Sequence, residues 1–357
     1  MLVMGYLGAV VGAGFASGQE IVQFFVNYGN SGIKGAFLTA GLFAACGGML
    51  LYMAHSHQVS NYQDILRFIL GQKTGKVVDI GLAVFLFLGI STMLSASGAI
   101  FYEHFYLPKG LGVFVTYLII VILLATGKKG LIMSYNLLVP VKLMLLIAIT
   151  GYAAFFFEAR LPETYVAFLD PYRSNNWLLA SLLYVAYNFS LAMVVLTEYQ
   201  SVTTQKGSIS GAIWGGLVLG LLVITYYLAL NRFMPMITHY EVPMLFIAGN
   251  ISLPAKWIYT GVLWVGILTT ALANAYGFSQ RISSLSGLNY GFCLIMCMTL
   301  ALPLSMQSFS VLVNRVYPVF GALGLVILGS LVYKAVIQLG QELYYNIIQI
   351  LKKTKEV

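Results

Sequence analysis

The apolar run that opens the chain is long enough to cross a membrane, but it is interrupted near its middle. Residues 2–11 and 21–26 are apolar, and 12–20 between them read Gly-Ala-Gly-Phe-Ala-Ser-Gly-Gln-Glu. Glycine destabilises a helix by about 1 kcal/mol relative to alanine, and a charge at the bilayer centre costs at least about 2.5 kcal/mol. Non-helical backbone at this depth is tolerated only where it is buried in protein or lines a cavity. The pattern therefore predicts two half-helices and a binding site at the break.

A tight contact between two helices is the alternative explanation of these glycines, because small residues let membrane helices approach closely. That explanation gives no role to Gln19 and Glu20, since neither side chain is small. The broken helix is therefore the preferred interpretation.

The composition indicates a protein that crosses the bilayer many times. Of its 357 residues, 60% are hydrophobic and 8% are charged, whereas about 25% of residues are charged in a soluble domain. A spanning helix needs about 20 mostly apolar residues. We predict an all-α protein with ten spans at 2–27, 33–54, 76–103, 110–127, 130–157, 177–200, 208–232, 255–281, 288–305 and 311–336, and an amphipathic basic tail at 337–357.

The basic residues of the loops predict the orientation of these spans. Most of them, including Lys128, Lys129 and Lys206, fall on one side of the membrane if both termini are cytoplasmic. Cytoplasmic loops are the more basic ones in membrane proteins. The net charge of +8 is explained by this bias and does not indicate a nucleic-acid partner.

The two halves of the chain resemble each other at an offset of about 178 residues. Glu20 then corresponds to Glu198, and Asn136 corresponds to Asn314. The period contains five spans, and because five is odd, the second copy is inverted relative to the first. Inverted repeats of this kind are common in secondary transporters.

The repeat predicts one transmembrane domain over 1–336, made of repeat one at 1–157 and repeat two at 177–336. Span 1 pairs with span 6, so span 6 should also be broken. The polar interruption of span 6 lies at Tyr187–Leu191, where serine and asparagine can satisfy freed backbone groups.

The opening segment also carries a family resemblance. Residues 8–20, Gly-Ala-Val-Val-Gly-Ala-Gly-Phe-Ala-Ser-Gly-Gln-Glu, resemble the opening signature of the YkvI-type bacterial membrane proteins. That family is related to the amino acid–polyamine–organocation superfamily with the LeuT fold, and the similarity covers essentially the whole chain. The resemblance implies a LeuT-like 5+5 inverted repeat with discontinuous helices 1 and 6, in the bacterial cell membrane.

The two predicted breaks indicate where a small polar solute binds. Backbone N–H groups at the break of span 1 suit a carboxylate, and the glycines there allow close approach. Asn274, on span 8, could line the same cavity. The predicted substrate-binding residues are Gly12, Gly14, Phe15, Ala16, Ser17, Tyr187, Asn188, Phe189, Ser190 and Asn274.

The resemblance to sodium-coupled members of the superfamily implies a sodium ion beside this site. Gly8 and Val11 match the carbonyl positions of span 1. A carbonyl and two hydroxyl positions of span 8 are matched by Gly266, Thr269 and Thr270.

Lys142, deep in span 5, supports a proton instead. Some proton-coupled members carry a lysine near the place where sodium would bind, and a buried lysine releases its proton more readily than an exposed one. The sequence favours sodium slightly, because both hydroxyl residues of span 8 are present.

Two further charges are predicted to lie at the outer mouth, Glu20 in span 1 and Arg315 at the start of span 10. LeuT-like symporters close a charged pair between the same two helices, which predicts a gate. Two solvated interfacial charges are the alternative.

Together these features favour a secondary transporter that moves a small polar solute, such as an amino acid, by ion-coupled alternating access. A passive channel and a membrane protein without transport activity are the alternatives. An enzyme is disfavoured because the sequence contains neither His-Glu-x-x-His nor Gly-x-Ser-x-Gly.

Overall fold

A computed structural model of the chain describes residues 2–59, 61–157, 176–240 and 242–355. Within these ranges the side chains at 103–104, 202, 239, 310–311, 313–315, 318, 339 and 342–355 lie outside the description. The helices are α1 (Leu2–Val10), α2 (Ala13–Ser17), α3 (Gln19–Phe24), α4 (Asn30–Ser56), α5 (Tyr62–Leu70), α6 (Gln72–His104), α7 (Lys109–Leu124), α8 (Lys128–Phe155), α9 (Trp177–Leu196), α10 (Gln205–Asn231), α11 (Pro243–Ile251), α12 (Leu253–Ser286), α13 (Tyr290–Ser305) and α14 (Phe309–Lys355).

The predicted spans coincide with these helices, which confirms an all-helical, multi-pass membrane protein. Seven helices of the described chain are long and apolar enough to cross a membrane, and they fall in α4, α6, α8, α9, α10, α12 and α14. The helices α7 and α13 are shorter and apolar, and the first span consists of α1, α2 and α3. The backbone of α14 continues without a break into the predicted tail.

The first span is interrupted, as the glycines predict. α1 ends at Val10, and Gly12 is in an extended conformation with φ −92° and ψ −164° before α2 begins. A second turn follows at Gly18, whose φ of +81° lies in the left-handed region that favours glycine. The span therefore consists of three helical segments, α1, α2 and α3.

The prediction of a break in span 6 is wrong at Tyr187–Leu191, because α9 runs as a continuous α-helix through this segment. Its polar side chains bond back to carbonyls of their own helix: Asn188 Nδ2 donates to the Tyr184 carbonyl at 3.1 Å, and Ser190 Oγ donates to the Ala186 carbonyl at 2.8 Å. Residues 177–196 contain neither glycine nor proline. The backbone changes to a 3₁₀-helix only at Thr197–Val202.

Packing encloses the break in the first span. α1 contacts α8, α9 and α10, and α2 contacts α12. α4 packs closely along α10, where a side chain at Gly216 or Gly220 would collide with the backbone of α4. Small residues at such contacts are typical of membrane helices. The break is thereby held between α8, α9 and α12, which supply the polar side chains described next.

Candidate substrate and ion site at the first helix break

The carboxyl end of α1 is occupied by a lysine from α8. Lys142 is fully buried, and its Nζ donates to the Val11 carbonyl at 2.5 Å and to Thr269 Oγ1 at 2.8 Å. The open carbonyls at the end of a helix carry partial negative charge, so they attract an ammonium group. Hydrogen bonds to a charged group contribute about 1.5–3 kcal/mol each. The ammonium therefore contacts two oxygens of the predicted sodium site.

The other predicted sodium ligands are engaged within the protein. Thr269 Oγ1 and Thr270 Oγ1 both donate to the Gly266 carbonyl, at 3.0 Å and 3.1 Å. Gly8 lies against α8, where an added Cβ would approach Val139 Cγ2 to 2.8 Å. The structure thus brings Val11, Thr269, Thr270 and Gly266 together around the break, whereas Gly8 serves the contact with α8.

Two glycines of the first span make room for polar side chains of the protein itself. A Cβ at Gly12 would collide with the Thr270 hydroxyl, and a Cβ at Gly14 would collide with the Glu20 carboxylate. The sequence predicts that these glycines admit a ligand to the backbone. In the structure, neighbouring side chains occupy the space beside these glycines.

Glu20 is buried at this break, with 5% of its surface exposed. The left-handed turn at Gly18 separates α2 from α3, and Glu20 Oε1, in the first turn of α3, lies against Gly14. The carboxylate faces Tyr187 and Asn188 of α9. Its Oε2 has no hydrogen-bond partner among the described residues. Glu20 is therefore not a solvated interfacial charge, and the side chain of Arg315, its predicted gate partner, lies outside the description.

The remaining predicted residues of α2 make contacts that fix the half-helix. Phe15 packs edge-on against Tyr226 with ring centroids 4.7 Å apart. The Ala16 carbonyl accepts from Tyr259 at 2.6 Å, and Ser17 Oγ donates to the Gly14 carbonyl at 2.8 Å. These bonds satisfy the polar groups of a short helix that has few bonds of its own.

Besides Tyr187 and Asn188, three more predicted residues lie on the neighbouring helices. Phe189 and Ser190 are buried in α9, and the Ser190 hydroxyl is directed to its own helix. Asn274 is buried in α12, where it fills the space beside Gly89, and its Oδ1 has no partner among the described side chains and backbone.

A polar vestibule lies at the ends of α9 and α12. Its volume is about 460 Å³, and it adjoins a much smaller cavity of about 20 Å³. Lys128 and Glu198 line both and form an ion pair at 2.5 Å, and the Arg281–Asp79 ion pair lies beside them. Tyr135 lines the smaller cavity and donates to the Thr269 carbonyl at 3.0 Å. The smaller cavity thus contacts Tyr135, and Tyr135 contacts Thr269, the residue that accepts from Lys142.

Several tyrosines at the site were missed by the sequence analysis. Tyr135, Tyr184 and Tyr317 are buried around the break, although no spacing distinguishes them among the 24 tyrosines of the chain. The one available signal is that Tyr135 lies two helical turns before Lys142, which places both on one face of α8.

No family model matches the chain. It is 28% identical over 331 residues to the uncharacterized membrane protein YkvI of Bacillus subtilis, covering 92% of this chain and 94% of that protein. It is 24% identical over 323 residues to the uncharacterized protein YyaD of the same organism, covering 90% and 92%.

Solved structures of transporters share the fold. The structure of Mhp1, a nucleobase-cation-symport-1 family transporter with bromovinylhydantoin bound, has a TM-score of 0.59 at 14% identity and covers 88% of this chain and 74% of that one. A mutant of the manganese transporter of Eremococcus coleocola has a TM-score of 0.58 at 12% identity, with 94% and 78% covered. The chain is therefore a homologue of the YkvI-type bacterial membrane proteins, with a fold related to that of the LeuT-like transporters.

Proposed function

We propose that this protein is a secondary active transporter that carries a small polar solute by alternating access. The observation that carries the proposal is the interrupted first span, whose open end binds the buried Lys142 ammonium. Irregular backbone at membrane depth is tolerated where it lines a cavity, and transporters bind solutes and coupling ions at such breaks. The fold shared with transporters supports this function over that of an enzyme or a passive channel.

The proposed topology has ten crossings in two inverted repeats, with both termini in the cytoplasm of a bacterial cell. The long helices, the two shorter apolar helices and the broken first span supply these crossings. In this orientation Lys128 lies at the cytoplasmic end of α8, so the vestibule that it lines is the cytoplasmic opening.

For the coupling ion we propose a proton carried by Lys142. Its ammonium bonds to the Val11 carbonyl and the Thr269 hydroxyl, the same oxygens that a sodium ion would use. A second cation about 5 Å away would be opposed by about 3 kcal/mol at an effective dielectric constant near 20. Tyr135 lines the smaller cavity and donates to the Thr269 carbonyl, so the cavity adjoins the residue whose side chain accepts from Lys142. Sodium remains the competing prediction, and it requires Lys142 to be neutral or to turn away.

Uptake by reconstituted protein tests both parts of the proposal. A thermal-stability screen of purified protein against amino acids, amines and nucleobases first identifies a solute. We expect a pH gradient to drive its accumulation in proteoliposomes, replacement of sodium by choline to have no effect, and Lys142→Met to abolish the driven uptake. Lys129→Met is the matched control, because Lys129 is exposed on the same helix.

The outcomes separate the alternatives. Binding that is lost without sodium, with Thr269→Ala equally damaging, would contradict proton coupling and support sodium. Sustained single-channel currents without accumulation would contradict the transporter and support a channel.

A further inference from the structure

A second buried charge lies at the break, over α2 rather than at the end of α1. The Glu20 carboxylate is 5% exposed, and its Oε2 has no hydrogen-bond partner among the described residues. Lys142 bonds instead to the Val11 carbonyl and to Thr269. A buried carboxylate oxygen without a partner is costly, so a further donor at this place would stabilise it.

The surroundings of Glu20 are aromatic. Tyr187 and Tyr317 stack with centroids 5.2 Å apart and an interplanar angle of 12°. The ring centroid of Phe24 lies 5.7 Å from the ring centroids of both Tyr184 and Tyr187. The Tyr184 hydroxyl is buried and has no partner in the part of the chain that the structure describes, and the buried Tyr187 hydroxyl lies beside the Glu20 carboxylate. The rings form a wall around the carboxylate, and all three tyrosines interact electrostatically with it.

A carboxylate flanked by aromatic rings and tyrosine hydroxyls is chemically suited to an organic cation. Ring faces attract ammonium groups, and the attraction increases when the groups are removed from water. A primary ammonium has three N–H donors, and Glu20 Oε2 together with the hydroxyls of Tyr184 and Tyr187 offers three acceptors. An alkyl chain on the same molecule would pack against the rings.

The two other ligand classes fit this place less well. The backbone of α2 is predicted to receive a carboxylate of the solute, but the carboxylate of Glu20 already lies against Gly14 and repels another anion. A divalent metal ion such as manganese takes several oxygen ligands, and the described residues contain no group of three or more His, Cys, Asp or Glu side chains.

We propose that the transported solute is an organic cation, a small amine whose ammonium group binds Glu20 between Tyr184 and Tyr187. This inference rests on the proposed transport function and adds the class of substrate. It also gives the two buried charges separate roles, with Lys142 holding the open end of α1 and Glu20 holding the solute.

Four probes of similar size or defined charge test the inference on purified full-length protein in lipid nanodiscs: n-butylammonium, butyrate, 2-aminobutyrate and manganese chloride. We expect n-butylammonium to raise the unfolding temperature in a saturable manner and butyrate to have no effect. Glu20→Gln should weaken n-butylammonium binding about tenfold or more, since a bond to a charged group is lost. The control is Asp64→Asn, which removes a half-exposed carboxylate of α5.

A second variant keeps the test decisive if Glu20→Gln does not fold. Tyr187→Phe retains the ring and removes one hydroxyl, and we expect it to weaken n-butylammonium binding roughly threefold to tenfold. The inference is overturned if n-butylammonium fails to bind, if Glu20→Gln binds it as well as the wild type does, or if butyrate or manganese instead binds in a Glu20-dependent manner.

These results distinguish the inference from the proposed function. If another solute is accumulated in proteoliposomes while n-butylammonium does not bind, the cation site is wrong and transport stands. If n-butylammonium binds through Glu20 but no solute is accumulated, the site stands and the transport function is wrong.

Discussion

The first span and α9 are predicted to be a matched pair, yet the first span is broken and α9 is continuous. Both contain polar residues in an apolar run. In the first span the interruption contains Gly12 and Gly18, which adopt extended and left-handed backbone. In α9 the interruption consists of Asn188 and Ser190, which bond to carbonyls four residues earlier in their own helix.

The difference shows that polar side chains alone do not break a membrane helix. Serine and asparagine can bond back to their own helix without freeing any backbone group. A break needs glycine to reach the required dihedral angles, and it needs outside groups for the backbone that becomes free. Lys142 and Tyr259 supply such groups to the first span, through the carbonyls of Val11 and Ala16.

The largest expected effect is at the break in the first span. Gly14→Leu should abolish solute binding while the protein still folds, and Gly14→Ala should weaken it strongly, because even one Cβ collides with the Glu20 carboxylate. The measurement is ligand-induced thermal stabilisation, with size-exclusion chromatography to verify folding.

Gly151→Ala is the matched control for this change, since nothing lies within 4 Å of the added Cβ. It should leave binding unchanged and raise stability by up to about 1 kcal/mol through helix propensity. Wild-type binding by Gly14→Leu would show that the solute site lies elsewhere.

Two adjacent threonines should differ in their effect. Thr269→Val removes a hydroxyl that bonds to the Lys142 ammonium, so we expect a loss of about 2 kcal/mol. Thr270→Val removes a bond to the Gly266 carbonyl of its own helix, with an expected loss of about 1 kcal/mol. Denaturant unfolding and pH-driven uptake measure both variants. Equal losses of stability and uptake in the two variants would indicate that the Thr269 hydroxyl does not contribute to holding the Lys142 ammonium.

The turn at Gly18 tests whether the backbone itself requires glycine. Gly18→Ala should destabilise the protein by about 1–2 kcal/mol, because its φ of +81° is unfavourable for a residue with a Cβ. Gly329→Ala, in α14, is the control, because nothing lies within 4 Å of the added Cβ and Gly329 is not among the glycines with positive φ. Unfolding temperatures measure the pair, and a neutral Gly18→Ala would contradict the left-handed turn.

The smallest effect is expected in α9. Ser190→Ala should change stability by no more than about 0.5 kcal/mol and leave uptake near the wild-type level, because the hydroxyl bonds to its own helix. Proteoliposome uptake is the measurement. A large loss of uptake would restore Ser190 as a substrate ligand and suggest that α9 opens during transport.

Apolar run length and glycine content were sufficient to predict the spans and the first break. Each spanning helix needs its own stretch of apolar residues, and the dihedral angles at a break depend on the residue that adopts them. These are local properties, so the positions of α4, of α6 to α10 and of α12 to α14, together with the break beside Gly12, could be derived from residues near one another in the chain. The short helices α5 and α11 were not among the predicted spans.

The partners of the buried polar groups could not be derived in this way. The Lys142–Val11 bond joins residues 131 positions apart. The contact between the Glu20 carboxylate and Gly14 depends on the turn at Gly18. The sequence by itself established that a membrane chain carries a lysine, a glutamate and a glycine-rich interruption, each of which needs a compensating contact. Only the tertiary structure decided which groups meet, because that choice depends on how α8, α9 and α12 pack around the broken span.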